Sequence, residues 1–261
     1  MSYQSFAEVY DELQCSVDYF GRAQYLVRLF EKYDRKPQLV LDVGCGTGQI
    51  SLQLKKRNID VIGVDPSVEM LMKARENAAA CGQELLLLCQ SAAELDLYGT
   101  VDGAVCCLDS INHIIDELEL QKSFDKISLF LEKDRLFIFD VNTEYKHREV
   151  LANNIFTYDA ENVYCVWSNS ECSNNGVVDI CLDFFIKNSD GTYTRTGEEF
   201  SERAYSVDML KMMLDKAGLD VVAVLDDMTL ENATEKSQRI IFVTRKAWLY
   251  YDEWTNGYPT G

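Results

Sequence analysis

Five short, almost wholly apolar runs, separated by stretches of helical spacing, constrain this chain more than any other feature. They occupy residues 38–43, 60–65, 84–89, 101–108 and 135–141. A strand that is apolar on both faces must be buried on both, which a parallel sheet clad in helices provides. Helical patterns over 50–56, from Ser67 to the stop at Gly82, and over 116–131 supply the cladding. Strands alternating with helices through right-handed crossovers give an α/β fold with a doubly wound parallel sheet. Ligand crevices in such a sheet open at the carboxyl ends of its strands.

The rhythm changes after Val141. Between Ile155 and Tyr205 the runs 163–167, 177–186 and 192–196 alternate apolar and polar residues, with turn signals at Asn174-Asn175-Gly176 and 188–191. This predicts an antiparallel β insertion after the fifth strand. Ser206 is placed to cap a helix over 207–217 that stops at Gly218, and strands follow at 219–225 and 239–243. Residues 1–36 read as helix, with one apolar face at Phe6, Val9, Tyr10 and Leu13 and another at Tyr25, Leu26, Leu29 and Phe30. The expected organisation is an N-terminal helical lid (1–36), a ligand-binding domain (37–144 and 206–246), the insertion (145–205) and an aromatic tail (247–261). Trp248, Tyr250, Tyr251, Trp254 and Tyr258 suit that tail either to a partner or homodimer contact or to packing on the sheet edge.

Charge narrows the partners. Among 261 residues, 43 acidic side chains face 25 basic ones, a net charge of −18. A phosphate-binding surface needs the opposite balance, so neither nucleic acid nor an anionic membrane is the expected partner. No run reaches the roughly 20 apolar residues of a membrane span, and the N-terminus lacks the basic and apolar regions of a secretory signal. Nine cysteines without a CxxC pair, and two distant histidines, predict no metal site. Unpaired thiols point to a reducing cytoplasm.

The first strand ends in Asp42-Val43-Gly44-Cys45-Gly46-Thr47-Gly48. Glycines there let a ligand approach the backbone, and the following helix turns its amides to the same crevice. Asp65 lies 21 residues after Gly44 at the end of the second strand, where an acidic side chain accepts from ribose hydroxyls. The dinucleotide fingerprint needs a third glycine at position 49, where this chain has Gln49. That counts against a nicotinamide-dependent oxidoreductase. Asp42 would repel a pyrophosphate and attract an ammonium, so the ligand should carry a ribose and an amino-acid end.

At these residues the chain resembles the class I S-adenosylmethionine-dependent methyltransferases, in an uncharacterised bacterial small-molecule branch. DVGCGTG at 42–48 is similar to the family's first motif, 61–65 to its second, and 101–110 to its fourth-strand motif. The resemblance implies a Rossmann-like, mostly parallel seven-stranded sheet, with S-adenosylmethionine as cofactor and S-adenosylhomocysteine as product. It also implies that Gly44, Cys45 and Gly46 lie along the methionine portion, with Asp42 on its ammonium. Asp65 would take the ribose; Pro66, Ser67 and Met70 would border the adenine, and Ser91 and Ala92 would meet its edge. Leu108 would offer its backbone to the amino-acid end, beside Asp109. Met70 equally suits the core, and Asp109 equally suits a turn or helix cap.

Methyl transfer needs in-line placement of the acceptor and a base only where the acceptor loses a proton. Tyr10 is read as a contact to cofactor or acceptor, or as core. His113 is read as a base, or as a cap for the next helix. Arg203 and Tyr205 are read as a clamp for an acceptor carboxylate, or as a salt bridge within the insertion. The insertion suits a compact acceptor, giving a methyltransferase of small molecules. The alternatives are a cofactor-binding regulatory protein without turnover and a protein methyltransferase.

Overall fold

The computed structural model describes residues 10–14 and 16–247. In chain order the elements begin with α1 (Tyr19–Tyr33), β1 (Leu39–Val43), α2 (Gln49–Lys55), β2 (Asp60–Asp65), α3 (Val68–Ala80) and β3 (Leu86–Cys89). They continue with β4 (Gly103–Cys106), α4 (Glu117–Phe130), β5 (Leu136–Asn142) and a π-helical turn (Lys146–Leu151). The insertion then contributes β6 (Ile155–Asp159), β7 (Val163–Asn169), β8 (Val177–Lys187) and β9 (Tyr193–Arg203), before α5 (Val207–Lys216), β10 (Leu219–Asp226) and β11 (Arg239–Lys246). Seven strands form one sheet in the order β3-β2-β1-β4-β5-β11-β10, and β6-β7-β8-β9 form a second. The first five strands are parallel, while β11 pairs antiparallel with both β5 and β10.

Strand alternation sends successive residues to opposite faces and so builds two cores. Val40, Val105, Ile138 and Val243 pack with Leu26, Leu29 and Phe30 of α1. Leu41, Ala104, Phe137, Phe139 and Phe242 pack with Phe124 of α4 and Leu210 of α5. Phe139 and Phe242 stack across β5 and β11 with centroids 4.9 Å apart. The strand order reverses between β1 and β4, with β2 and β3 laid down on one side of β1 and β4 and β5 on the other, so the crevice of a doubly wound sheet falls beside the end of β1.

Three sequence expectations are corrected. The helix expected over 1–36 is interrupted among its described residues: 10–13 are helical, the chain turns, and Asp18 restarts it by accepting from Gly21 N at 2.8 Å. β4 ends at Cys106 rather than at residue 108, because Leu108 and Asp109 adopt left-handed φ of 59° and 61°. The short run at 192–196 extends through Arg203 as the single strand β9, which pairs with β8 along its whole length. Tyr3, Phe6 and the aromatic tail from Trp248 lie outside the described residues. Among the described residues no helix is long and apolar enough to cross a membrane.

Candidate cofactor site

The glycine turn leaves β1 and is pinned to β2 by Gly44 N and Cys45 N, which both donate to Val64 O at 2.8 and 3.0 Å. Gly44, Gly46 and Gly48 all take positive φ. A Cβ on Gly44 would stand 2.6 Å from Ser110 Oγ, whereas one on Gly46 would meet nothing within 4 Å. Gly46 therefore faces an open cradle, while Gly44 makes a packing contact. The Cys45 side chain packs with Leu71, Ala74 and Leu87, so the thiol is part of a small apolar cluster and only its backbone follows the turn.

Two carboxylates border this cradle. Asp65 Oδ2 accepts from Gly46 N and Oδ1 from Ser67 N, each at 2.9 Å. Each oxygen keeps a further lone pair. Burial pushes the Asp65 carboxyl above its ordinary range, against those amides and His113. Asp42 is fully buried and accepts from Ser51 Oγ at 2.5 Å. Burial first, and then the charge of Asp65, push its pKa up to about 7 against the Ser51 hydrogen bond.

Beyond Asp65, Pro66 leads into α3. Ser67 caps that helix, accepting from Met70 N at 3.1 Å, and Met70 is buried. Ser91 Oγ donates to Glu94 Oε2 at 3.2 Å at the head of the single 3₁₀ turn Ala92–Glu94, and Ala92 packs on the main core. Both hydroxyls thus have local partners.

A cavity of about 50 Å³ runs along the turn, lined by Tyr10, Tyr19, Asp42, Gly44, Gly46 and Leu108 among others. Tyr10 and Tyr19 narrow it from above. Tyr19 Oη is buried there without a hydrogen-bond partner, and burial followed by the charge of Asp11 pushes its pKa to about 12. Residues 10–14 form a strap across the crevice. Asp11 accepts from Thr47 Oγ1 at 2.6 Å, Gln49 Nε2 at 3.0 Å and Asn77 Nδ2 at 2.8 Å. Glu12 Oε1 accepts from Asn162 N at 2.7 Å, between β6 and β7.

The left-handed residues after β4 are held by a buried charge network. Asp140, 1% exposed, accepts from Leu108 N and Asp109 N, both at 2.7 Å. Arg239 donates to Asp140 at 2.6 Å and to Asp109 at 3.1 Å, and Arg22 approaches Asp140 at 3.5 Å. Asn142 Nδ2 donates to Asp109 Oδ2 at 2.7 Å. Burial would raise the Asp109 carboxyl, but Arg239, Lys146, His113 and Asn142 outweigh it and hold it below the usual carboxylate range. Leu108 N is engaged by Asp140, so its carbonyl is the backbone group available to a ligand. Asp140 was not singled out from the sequence, although an acid set near the end of the apolar fifth run is a signal that could have found it; nothing comparable marks Arg239, Asp11 or Tyr19.

One pair is corrected outright. Arg203 donates to Asn175 O, Ile115 O and Glu117 Oε1, and its guanidinium lies 4.7 Å from the Tyr205 ring centroid. Tyr205 is buried and its hydroxyl donates to Ile114 O at 2.5 Å. The two residues clasp β9 to the segment before α4, and their polar atoms are committed to that contact instead of an acceptor. Tyr10 does reach the cavity. His113, by contrast, faces Glu202 and Phe200 at the junction with the insertion.

An open glycine cradle between two buried carboxylates, with an orphaned hydroxyl on its wall, fits a cationic nucleoside that ends in an amino acid. A methyltransferase-domain family model matches residues 40–134. A Geobacillus sp. (strain WCH70) protein bearing a methyltransferase name is 33% identical over 247 residues, spanning 94% of this chain and all of that one. A crystal structure of an S-adenosylmethionine-dependent methyltransferase from Clostridium acetobutylicum superposes with a TM-score of 0.85 at 31% identity, covering 94% of this chain and 99% of that one. The chain belongs to the S-adenosylmethionine-dependent methyltransferases. S-adenosylmethionine is the cofactor of this methyltransferase. The sugar N-methyltransferase KedS8 from Streptoalloteichus shares the fold of the methyltransferase at 18% identity and a TM-score of 0.76, over 95% of this chain and 93% of that one.

Proposed function

We propose that the methyltransferase acts on a small molecule received beneath the strap and the four-stranded insertion. The observation that carries this reading is the double attachment of residues 10–14, through Asp11 to the cofactor turn and through Glu12 to the β6–β7 connection. A roof fastened at both sides suits an acceptor enclosed in the site more than a polymer lying across it. KedS8, named for a sugar acceptor, shares the fold and so is compatible with a compact substrate. The eight described cysteines are unpaired, which suits a reducing compartment.

In this reading the cofactor supplies a methyl group made electrophilic by its sulfonium sulfur. Asp65 receives the ribose hydroxyls on its remaining lone pairs. The open side of Gly46 admits the amino-acid portion, with Asp42 and the Leu108 carbonyl on its ammonium. Pro66 and Met70 border the adenine. Ser67, Ser91 and Ala92 shape that edge mainly through the backbone turns they form. Tyr10 and Tyr19 close the site from above and limit water.

Incubating the enzyme with methyl-tritiated S-adenosylmethionine and a cell extract tests the acceptor class. Label is expected in the fraction passing a small-pore filter. Label retained with protein or RNA would overturn the proposal.

The raised pKa of Asp42 adds a pH dependence. Its carboxyl holds a proton up to about pH 7 in the folded protein, and only the ionised form attracts an ammonium. Affinity for S-adenosylhomocysteine is therefore expected to rise between about pH 6 and 8, by at most about tenfold per unit below the pKa. Because the proton binds more tightly in the folded state than in the unfolded chain, this group favours folding at low pH. That contribution is lost as pH climbs from the ordinary aspartate range through about 7. Calorimetric titration across this range, with Asp42→Asn as the flat reference, checks the sign.

A further inference from the structure

One face of the insertion sheet is apolar, and it is fastened to the crevice at two places. Val163, Cys165, Val178, Ile180, Leu182 and Phe184 form its centre. Leu13 packs against that centre, while Asp11, two residues earlier in the strap, is bonded to Thr47 of the glycine turn. Two residues of chain span at most about 7 Å, so the strap brings this face close to the turn. At the other place Phe200 meets His113 of the loop after β4, with ring centroids 5.0 Å apart. Glu202 accepts there from Asn142 Nδ2, at the end of β5, at 3.2 Å. The middle rows of the face lie between these two attachments.

One middle row runs across all four strands. Phe156 pairs with Trp167, Trp167 with Leu182, and Leu182 with Glu198. Paired residues share a face, so three apolar side chains and one carboxyl stand side by side. Phe156 and Trp167 are half-buried, and the exposed Tyr158 widens the aromatic end from the same face. The Phe156 ring meets Trp167 edge-on at 5.6 Å, and the Tyr158 ring lies at 23° to it with centroids 6.2 Å apart. Trp167 Nε1 already donates to Asn169 Oδ1 at 2.7 Å. What this aromatic shelf still offers is ring surface.

The other end of the row is Glu198. It is 8% exposed, and among the described residues neither a cation nor a hydrogen-bond donor engages its carboxylate. A carboxylate taken out of water is costly until a partner neutralises it. Glu199, the next residue, is exposed on the opposite face. Trp167 and Glu198 are two strands apart, about 10 Å.

We infer that this row is the acceptor subsite: the Trp167 shelf receives a flat apolar ring, and Glu198 receives an amino group that the ring carries on a short chain. The inference deepens the small-molecule reading and rests on it for the size of the acceptor. An ammonium supplies the charge that the buried carboxylate lacks, and ring surface beside it adds cation–π attraction. A sugar suits the row less, because its hydroxyls need several polar partners and the row offers one.

Tritium transferred from S-adenosylmethionine into a cell extract, in the part that depends on added enzyme, reads the class. The labelled small molecule is expected to bind a cation exchanger in mild acid and to be retained by a reversed-phase column in mild base. Label in a neutral or anionic product overturns the amine. Label that passes the reversed-phase column unretained overturns the ring. Glu198→Gln, which keeps the size and removes the charge, should lower labelling about tenfold, the least expected for a lost charged hydrogen bond. Glu199→Gln should label as wild type. Trp167→Leu should also lose about tenfold, on the scale of a desolvated ring contact, and Trp167→Phe should restore most of it. Both deficits should narrow as the extract is concentrated, and S-adenosylhomocysteine affinity by calorimetry should not change. Wild-type labelling by Glu198→Gln or by Trp167→Leu overturns the subsite. Label found in protein or RNA overturns the small-molecule reading. The subsite then stands if both variants still lower that labelling, and falls if they do not.

Discussion

Replacing Asp140 by alanine is expected to cost about 3 kcal/mol of stability, the lower end for removing one partner of a buried ion pair. A chain of this size should then melt roughly 6–12 °C lower. Asp140 accepts from Leu108 N, Asp109 N and Arg239 at once. Without it, two left-handed residues lose the bonds that hold them, and Arg239 keeps only Asp109. The loss stays near 3 kcal/mol because Arg22 retains its two bonds to Asp227, at 3.0 Å each. Thermal denaturation followed by circular dichroism reads the effect. A melting temperature within a degree or two of wild type would mean that the Leu108–Asp109 turn is held by something other than this carboxylate.

Gly46→Val should remove cofactor binding while the sheet stays folded. At φ +52° a β-branched residue is strained, and its side chain would project into space that is open within 4 Å. Gly82, at the exposed end of α3, separates strain from blockage, since it has φ +63° and is equally open. Both valine variants should lose about 1–2 kcal/mol from left-handed strain. Only Gly46→Val should weaken S-adenosylhomocysteine by about 100-fold or more, equivalent to roughly 2.7 kcal/mol. Calorimetry beside a melting curve for each variant makes the comparison. Normal binding by Gly46→Val would remove the cradle from the cofactor site.

The strands and the glycine turn were legible because their causes are local. Apolar runs, Gly44 to Gly48, and Asp65 at the end of the second run each declare themselves within a few residues. The bonds that shape the other half of the site join residues far apart in the chain. Arg239 reaches Asp109 across 130 positions, and Asn142 reaches Glu202 across 60. No periodicity reports such a pairing. Arg203 shows the converse case. Its spacing from Tyr205 suited either a clamp for a carboxylate or a salt bridge within the insertion, and the guanidinium instead bonds Glu117 of α4 and the carbonyls of Ile115 and Asn175. The break before Asp18 was missed because apolar spacing continues across it, while the capping carboxylate decides where α1 begins.

β11 runs against its neighbours in the large sheet. A strand laid head to tail among parallel ones hands the working rim its opening residue, where the others hand over their closing ones. For β11 that residue is Arg239, paired in register with Asn142 at the end of β5. The connection that enters β11, residues 227–238, is therefore a rim loop like those that leave β1, β2 and β4. Lengthening it or recharging it is expected to act on the crevice from outside, through Arg239 and through Asp227, which holds Arg22 beside Asp140.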